Sequence, residues 1–224
     1  MQKVRHKKTP GRPPNRALAA RRRAEILDSA SKMFAEHGYA DTDLQWIADD
    51  VSVSKGTLYR YFRSKRELFF ATVDLQVQEL RKSVTAAAAS GPNPLGMIAA
   101  AVRAYLEFFA SNPDAVELLL QERASFKERD GSSIAGYRAD MLERWGNMID
   151  LLKSEGYLRP LPTEELIELL SHILYGTIFT NYLSDAKSRF EEQASMIIGV
   201  LLHGAVTDKA RAEWVQEYQG ARAK

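Results

Sequence analysis

Lys55, Thr57, Tyr59, Arg60 and Tyr61 crowd cations, a hydroxyl and planar rings into one short stretch of chain. On a helix, side chains of these types can meet the donor and acceptor edges of base pairs. A helix presenting its N-terminal residues also has the dimensions to enter a major groove. No other segment offers chemistry as pointed as this. The sequence has no Gly-rich phosphate loop, no His-Glu-x-x-His and no Gly-x-Ser-x-Gly. Its four histidines (His6, His37, His172 and His203) lack metal-ligand spacing. It contains no cysteine, which excludes disulfides, zinc-finger chemistry and thiol catalysis. Catalysis is therefore not expected, nor is a metal or other cofactor.

The stretch must be held by its neighbours. Thr42 to Val51 reads as a short helix, with capping-box spacing between Thr42 and Gln45 and with Leu44, Ile47, Ala48 and Val51 on one face. Ser52-Val53 has room only for a turn, and Ser54 is placed to cap a second helix running from Lys55 to about Tyr61. Val53, Leu58 and Phe62 can seal the pair. Two such short helices have too little apolar area to fold alone. They must lean on a preceding helix from about Ala17 to His37, whose stripe is Ile26, Leu27, Ala30, Met33 and Phe34 and whose end has Gly38 for a positive-φ position. On pattern alone, a plain helical hairpin with inward-facing tyrosines stays open beside a helix-turn-helix.

The formal net charge of +2 conceals an asymmetry. Residues 1–23 hold nine Lys or Arg and no acid, and the remainder carries 22 basic against 29 acidic residues, a net of −7. A basic arm on an acidic body suits a polyanion met at one end, although a solvated tail gives the same pattern. Within the arm, Pro10-Gly11-Arg12-Pro13 resembles the core of an AT-hook, in which Arg12 would enter a narrow minor groove. Nonspecific phosphate contacts are the simpler explanation. The basic start is not followed by an apolar run, so a secretory signal is not expected and a cytoplasmic location is. The most apolar stretch, Leu166 to Leu183, contains Glu168, His172 and Asn181, and reads as a buried helix rather than a membrane span.

From Arg23 to Leu68 the chain resembles the DNA-binding domain of the TetR (tetracycline-repressor) family. The resemblance is carried by Ile26-Leu27, Phe34-Ala35, Gly38-Tyr39, Thr42, Ile47-Ala48, the run Val53-Ser54-Lys55-Gly56-Thr57-Leu58-Tyr59-Arg60-Tyr61-Phe62, and Lys65-Arg66-Glu67-Leu68-Phe69. It implies an all-helical homodimer on a palindromic DNA operator, most simply a repressor, released by a small and largely apolar effector. By motif position it gives the recognition-helix roles to Ser54, Lys55, Thr57, Tyr59 and Tyr61, with Lys65 on a phosphate; Thr42, Gly56 and Arg60 are further candidate DNA contacts. Two positions depart from the family pattern. Val51-Ser52 replaces the usual Ala-Gly, so Ser52 must take a conformation easier for glycine, and Trp46 is bulky for a polar position.

The expected fold class is all-α with about nine helices. The expected domains are a basic arm at 1–16, the helix-turn-helix domain at 17–64 and a regulatory and dimerisation body at 65–224, joined by a long helix over 65–89. Ser64 and Glu67 have capping-box spacing at its start. Further caps are expected at Asn112 before Pro113 and at Thr163 before Glu164-Glu165. Helices around 164–183 and 189–206 are apolar on nearly every side and need two buried faces, one of them against a second copy. Tyr105, Phe109, Glu122, Phe126, Met141, Trp145, His172, Tyr175 and Phe179 are the candidate effector contacts. A nonspecific architectural DNA binder is the alternative, and an enzyme with an unrecognised site is a more remote one. Removing residues 1–15 is expected to weaken operator binding and flatten its dependence on salt. A salt-titrated binding assay showing neither change would eliminate the arm as a contact.

Overall fold

Gly38 breaks the first helix where the sequence places a stop. In the computed structural model, which describes residues 16–126, 133–184, 189–205, 207, 208 and 210, helix α1 spans Arg16–Asp41 with Gly38 at φ 81°, ψ 159° inside it. Only glycine adopts that combination without strain. The basic arm, Arg12 included, lies outside the described residues. The chain continues through α2 (Leu44–Asp50), α3 (Lys55–Tyr61), α4 (Lys65–Ala89), α5 (Pro94–Ser111), α6 (Pro113–Ser125), α7 (Ser133–Ser154), α8 (Thr163–Leu183) and α9 (Phe190–Ala205). Among the described residues there are nine helices and no extended strand, and no helix is long and apolar enough to cross a membrane.

Helix ends follow local chemistry where a side chain has no better partner. Ser64 accepts from the Glu67 amide at 3.0 Å, and the Glu67 carboxylate reaches back to the Arg63 amide at 2.8 Å, closing a box one residue wider than the sequence suggests. Asn93 caps α5 through the Gly96 amide at 2.8 Å, with Pro94 at the first helical position. Three expected caps are not made. Asn112 instead donates its amide to the Phe108 carbonyl at the end of α5. Thr163 is itself helical, and its hydroxyl sits between Asp150 and Lys153 of α7. Thr42 donates to the carbonyls of Met33 (3.1 Å) and Gly38 (2.6 Å), so Asp43 becomes the cap of α2, accepting from Gln45 at 2.8 Å. In each case a tertiary or helix-terminal acceptor outcompeted the local amide.

The three N-terminal helices are bound to the rest by one continuous apolar core. α1 packs against α2, α4 and α6, while α4 lies along α5 and touches α6 and α7. Ile26, Phe34, Ile47, Leu58, Phe62, Leu68 and Phe69 are all essentially sealed from solvent, in the same cluster as Leu106 and Leu118 of the body. A second cluster around Leu95, Ile149, Leu152, Leu158 and Ile167 fills the far end. Where α1 and α4 meet α6, an aromatic knot forms. Phe69 stands edge-on to Phe34 (centroids 5.2 Å apart), Tyr39 packs on Phe126 (4.8 Å), and Phe126 packs on Phe70 (4.7 Å). The Arg66 guanidinium lies 5.3 Å over Phe70 and 5.1 Å over Phe126. Truncating Phe69 to Ala is expected to cost about 3–5 kcal/mol, read as a lowered midpoint in thermal unfolding.

Candidate nucleic-acid interface

The seven residues of α3 hold their shape because one side is buried and the start is capped. Ser54 is extended and accepts from the Thr57 amide at 3.1 Å, and the Ser54 and Thr57 hydroxyls are 3.0 Å apart. Leu58 and the C-cap Phe62 are buried, and Val53 packs on the same core. The turn before it is tight: the Ser52 amide donates to Asp49 at 3.0 Å and the Val53 amide to Ala48 at 2.8 Å. Ser52 pays for that closure with φ +52°, the left-handed conformation its departure from glycine foretells. Arg22 braces the turn from α1, donating to the Val51 carbonyl at 3.1 Å, and Arg23 lies 5.0 Å over the Phe62 ring.

On the outward side of α3, Gly56, Tyr59 and Arg60 are exposed, with Lys55 and Thr57 partly so. Lys55 is tied to Asp43 of α2, Nζ to Oδ1 at 2.8 Å. That hydrogen bond holds the Asp43 carboxyl below the usual carboxylate range and raises the Lys55 ammonium, so the contact is charged at neutral pH. Both groups reach solvent, and the contact positions Lys55 more than it stabilises the fold. Lys65, at the start of α4, donates to the Ala40 carbonyl at 2.7 Å and lies 5.2 Å over Tyr39; burial lowers its pKa. Two of its three protons are left for another acceptor. Tyr61 is half-buried against the core, at the inner edge of the surface. Thr42, expected at the interface, is buried, with its hydroxyl committed inside the protein. Trp46 is 44% exposed and stacks edge-on to His37 at 4.9 Å, which accounts for a large ring on an outer face. Asp43 is the residue that sequence reasoning missed. Its cap position is visible only once Thr42 is seen to turn inward.

The expected effector contacts divide sharply. Tyr105, Met141 and Trp145 line a cavity among α4, α5, α7 and α8, together with Tyr137 and a set of aliphatic walls that sequence reasoning did not single out. Phe126 belongs instead to the aromatic knot, and Phe109 packs edge-on to Tyr105 at 5.1 Å. Tyr175 and Phe179 pack against the main core, Tyr175 with its ring 6.4 Å from Tyr105. Glu122 is buried on α6 away from the cavity. His172 is exposed beside Glu168 on α8 and is neither a cavity wall nor a core group. No cluster of metal-ligating side chains occurs among the described residues.

A capped, one-sided helix set behind a tight turn, leaning on a third helix and presenting donors and a cation outward, defines a helix-turn-helix domain of the DNA-binding kind. The family model described as "Bacterial regulatory proteins, tetR family" matches residues 26–72. Over these residues the helix-turn-helix of this chain is similar to the one that family carries. A curated relative, the HTH-type transcriptional activator FasR of Mycolicibacterium smegmatis, is 32% identical over 107 residues, 48% of this chain and 49% of that protein. The match therefore spans about half of that relative's length. Among solved structures, a TetR transcriptional regulator from Chloroflexus aurantiacus superposes with TM-score 0.71 at 18% identity, covering 85% of this chain and 98% of the other. The fatty acid degradation regulator FadR from Bacillus halodurans gives 0.68 at 18%, covering 81% and 98%. A TetR-family regulator from Pectobacterium atrosepticum gives 0.66 at 26%, covering 87% and 98%. The fold of the body is thus shared with these structures.

If the turn carries the strain that its φ implies, Ser52→Gly is expected to raise stability by up to about 1 kcal/mol. Ser52→Val should lower it by about 1 kcal/mol or more. Thermal unfolding of the two variants checks this, and a valine variant as stable as the parent would refute it.

Proposed function

We propose that this protein is a ligand-responsive transcriptional regulator, most simply a repressor, that binds a palindromic operator as a homodimer and is released by a small, largely apolar effector. The observation that carries the reading is α3 itself. Its inner side is fixed by Leu58 and Phe62, so Lys55, Thr57, Tyr59 and Arg60 are held on a rigid face rather than on a mobile loop. Ser54 and Gly56 open that face, Tyr61 borders it, and Lys65 stands at a helix start suited to a phosphate. The domain limits proposed are 17–64 for the DNA-binding unit and 65–224 for the body, with α4 spanning the junction.

Two features support the dimer. α8 and α9 bury Ile167, Leu174, Ile178, Ala194 and Ile198 within the chain but leave Leu169 (54% exposed), Met196 (71%) and Val200 (63%) uncovered. Gly176, Gly199 and Gly204 on the same two helices have nothing among the described residues within reach of an added Cβ. An apolar, glycine-dotted face on the last two helices suits a second copy related by two-fold symmetry. The cavity in the body supports an effector, and the transcriptional role named for the curated relative supports regulation as its purpose.

A nonspecific architectural binder would use the same cations without reading bases. Selection of bound DNA from a random pool separates the two readings. A specific regulator should return a two-fold symmetric site and bind it roughly 10³-fold or more tighter than random duplex at the same salt. Tyr59→Ala should reduce affinity for that site by about tenfold to a hundredfold and leave random duplex nearly unaffected. An equal loss on both, or a ratio near unity for the parent, would overturn the regulator reading.

A further inference from the structure

Asp43 brings a negative charge to the side of the molecule where cations gather. It caps α2, its Oδ1 accepting from the Gln45 amide at 2.8 Å. Serine and asparagine cap a helix about as well as aspartate and carry no charge. The same oxygen takes the Lys55 ammonium at 2.8 Å, twelve residues further along the chain and on the next helix. A pair this open to solvent adds little to stability. The fold therefore needs a cap at this position but gains little from the charge.

The charge matters where the surface meets DNA. Lys55 is the first residue of α3, the end that a helix-turn-helix presents to base edges. Asp43 is also close enough to Lys65, at the start of α4, to act on it electrostatically. One carboxylate thus lies among the cations of the proposed DNA face. A phosphate approaching Lys55 has either to displace that carboxylate or to share the ammonium with it. Two anions within a Debye length of each other, about 8 Å at physiological salt, repel. A guanine O6 or N7 has no net charge and meets no such repulsion. An ammonium has three protons and Asp43 uses one, so Lys55 can bond a base acceptor without letting Asp43 go.

Building on the reading of α3 as a base-reading helix, we infer that Asp43 is a positioning residue for sequence recognition: it holds Lys55 off the phosphate backbone, keeps it aimed at base acceptors in the groove, and so weakens binding to random DNA more than binding to the operator. The contact works by exclusion. A lysine free to turn to any phosphate would strengthen binding to every duplex, and the margin between right and wrong sequences would shrink.

The test measures binding of the full chain, across a salt series, to the duplex recovered by selection from a random pool and to a scrambled duplex of equal length. Asp43→Asn keeps the cap and removes the charge, and Asp43→Ser does the same with a shorter side chain. If one of them lowers the thermal unfolding midpoint, the other decides. Affinity for the scrambled duplex should rise and its salt slope steepen by about 0.9, the contribution of one more neutralised phosphate. The gain should then grow about threefold for each fourfold dilution of salt. The selected duplex should gain less or nothing, so the ratio between the two should fall by about threefold or more at the lowest salt. Asp50→Asn, an equal charge change at the far end of α2, should alter both duplexes alike. In a Lys55→Gln background, Asp43→Asn should do no more than Asp50→Asn does. An equal gain on both duplexes, an unchanged salt slope, or an effect that survives in Lys55→Gln would overturn the assignment. A parent protein that does not distinguish the two duplexes would instead remove the base-reading role of α3. The slope on the scrambled duplex, which needs no operator, would still decide whether Asp43 restrains Lys55.

Discussion

A seven-residue helix has no stability of its own in water, and that constraint organises the N-terminal third of the chain. Nucleating a helical turn costs more than so few hydrogen bonds return, so α3 exists only as far as Leu58 and Phe62 are buried and Ser54 stays capped. The burial has to come from one side, because the opposite side must face solvent. α1 and α4 supply it, meeting through Phe34 and Phe69, with Arg23 and Arg22 clamping the end and the entry of the motif from α1. The geometry of the outward face is therefore inherited from α1.

α1 is in turn attached to the body at two places of different character. The aromatic knot of Tyr39, Phe69, Phe70 and Phe126 is apolar and closely packed. Beside it runs a directional chain of hydrogen bonds. Gln121 of α6 donates to the Phe34 carbonyl at 2.9 Å and to Glu117 at 2.8 Å, and Glu117 accepts from the Tyr182 hydroxyl of α8 at 2.6 Å, which pushes that phenol up to about 12. Asn181, the neighbour of Tyr182, exchanges two 2.7 Å hydrogen bonds with Gln193 of α9. The two attachments seat α1 on the body, and the polar one continues through Glu117 to α8.

Much of this was legible from residue types wherever the cause is local. Gly38 and Ser52 announce positive φ, Ser54 and Ser64 announce helix starts, and the apolar faces of α1, α2 and α3 follow from their spacing. The failures share one cause. Thr42, Asn112 and Thr163 each had an acceptor from elsewhere in the fold or from the helix just ended, and nothing in a linear pattern weighs that acceptor against a nearby amide. Legibility of the body was poorer still. Helical periodicity identifies residues that turn inward but not which inward residues leave space between them. Aromatic residues were therefore expected around a cavity whose aliphatic walls include Ile98, Ile149, Ile167 and Leu170, while Phe126 proved to be structural cement. His172 stood out for being polar in apolar company, and that contrast arose because α8 has an uncovered side.

That uncovered side bears on how the proposed functions would be joined. α8 contributes Ile167, Leu170 and Leu174 to the cavity walls, exposes Leu169 on another face, and near its end anchors Tyr182 to α6. One rigid helix would thus meet the proposed ligand, the proposed second copy and the route to α1. A ligand that separates α8 from α5 by filling the cavity does not need to deform α8. It needs only to favour one placement of an already stiff rod over another, with a differential affinity equal to the shift it causes. Because the partner's α8 would be related by symmetry, a displacement of one copy against the other would be doubled in the separation of the two α3 helices, where a mismatch with successive major grooves costs most.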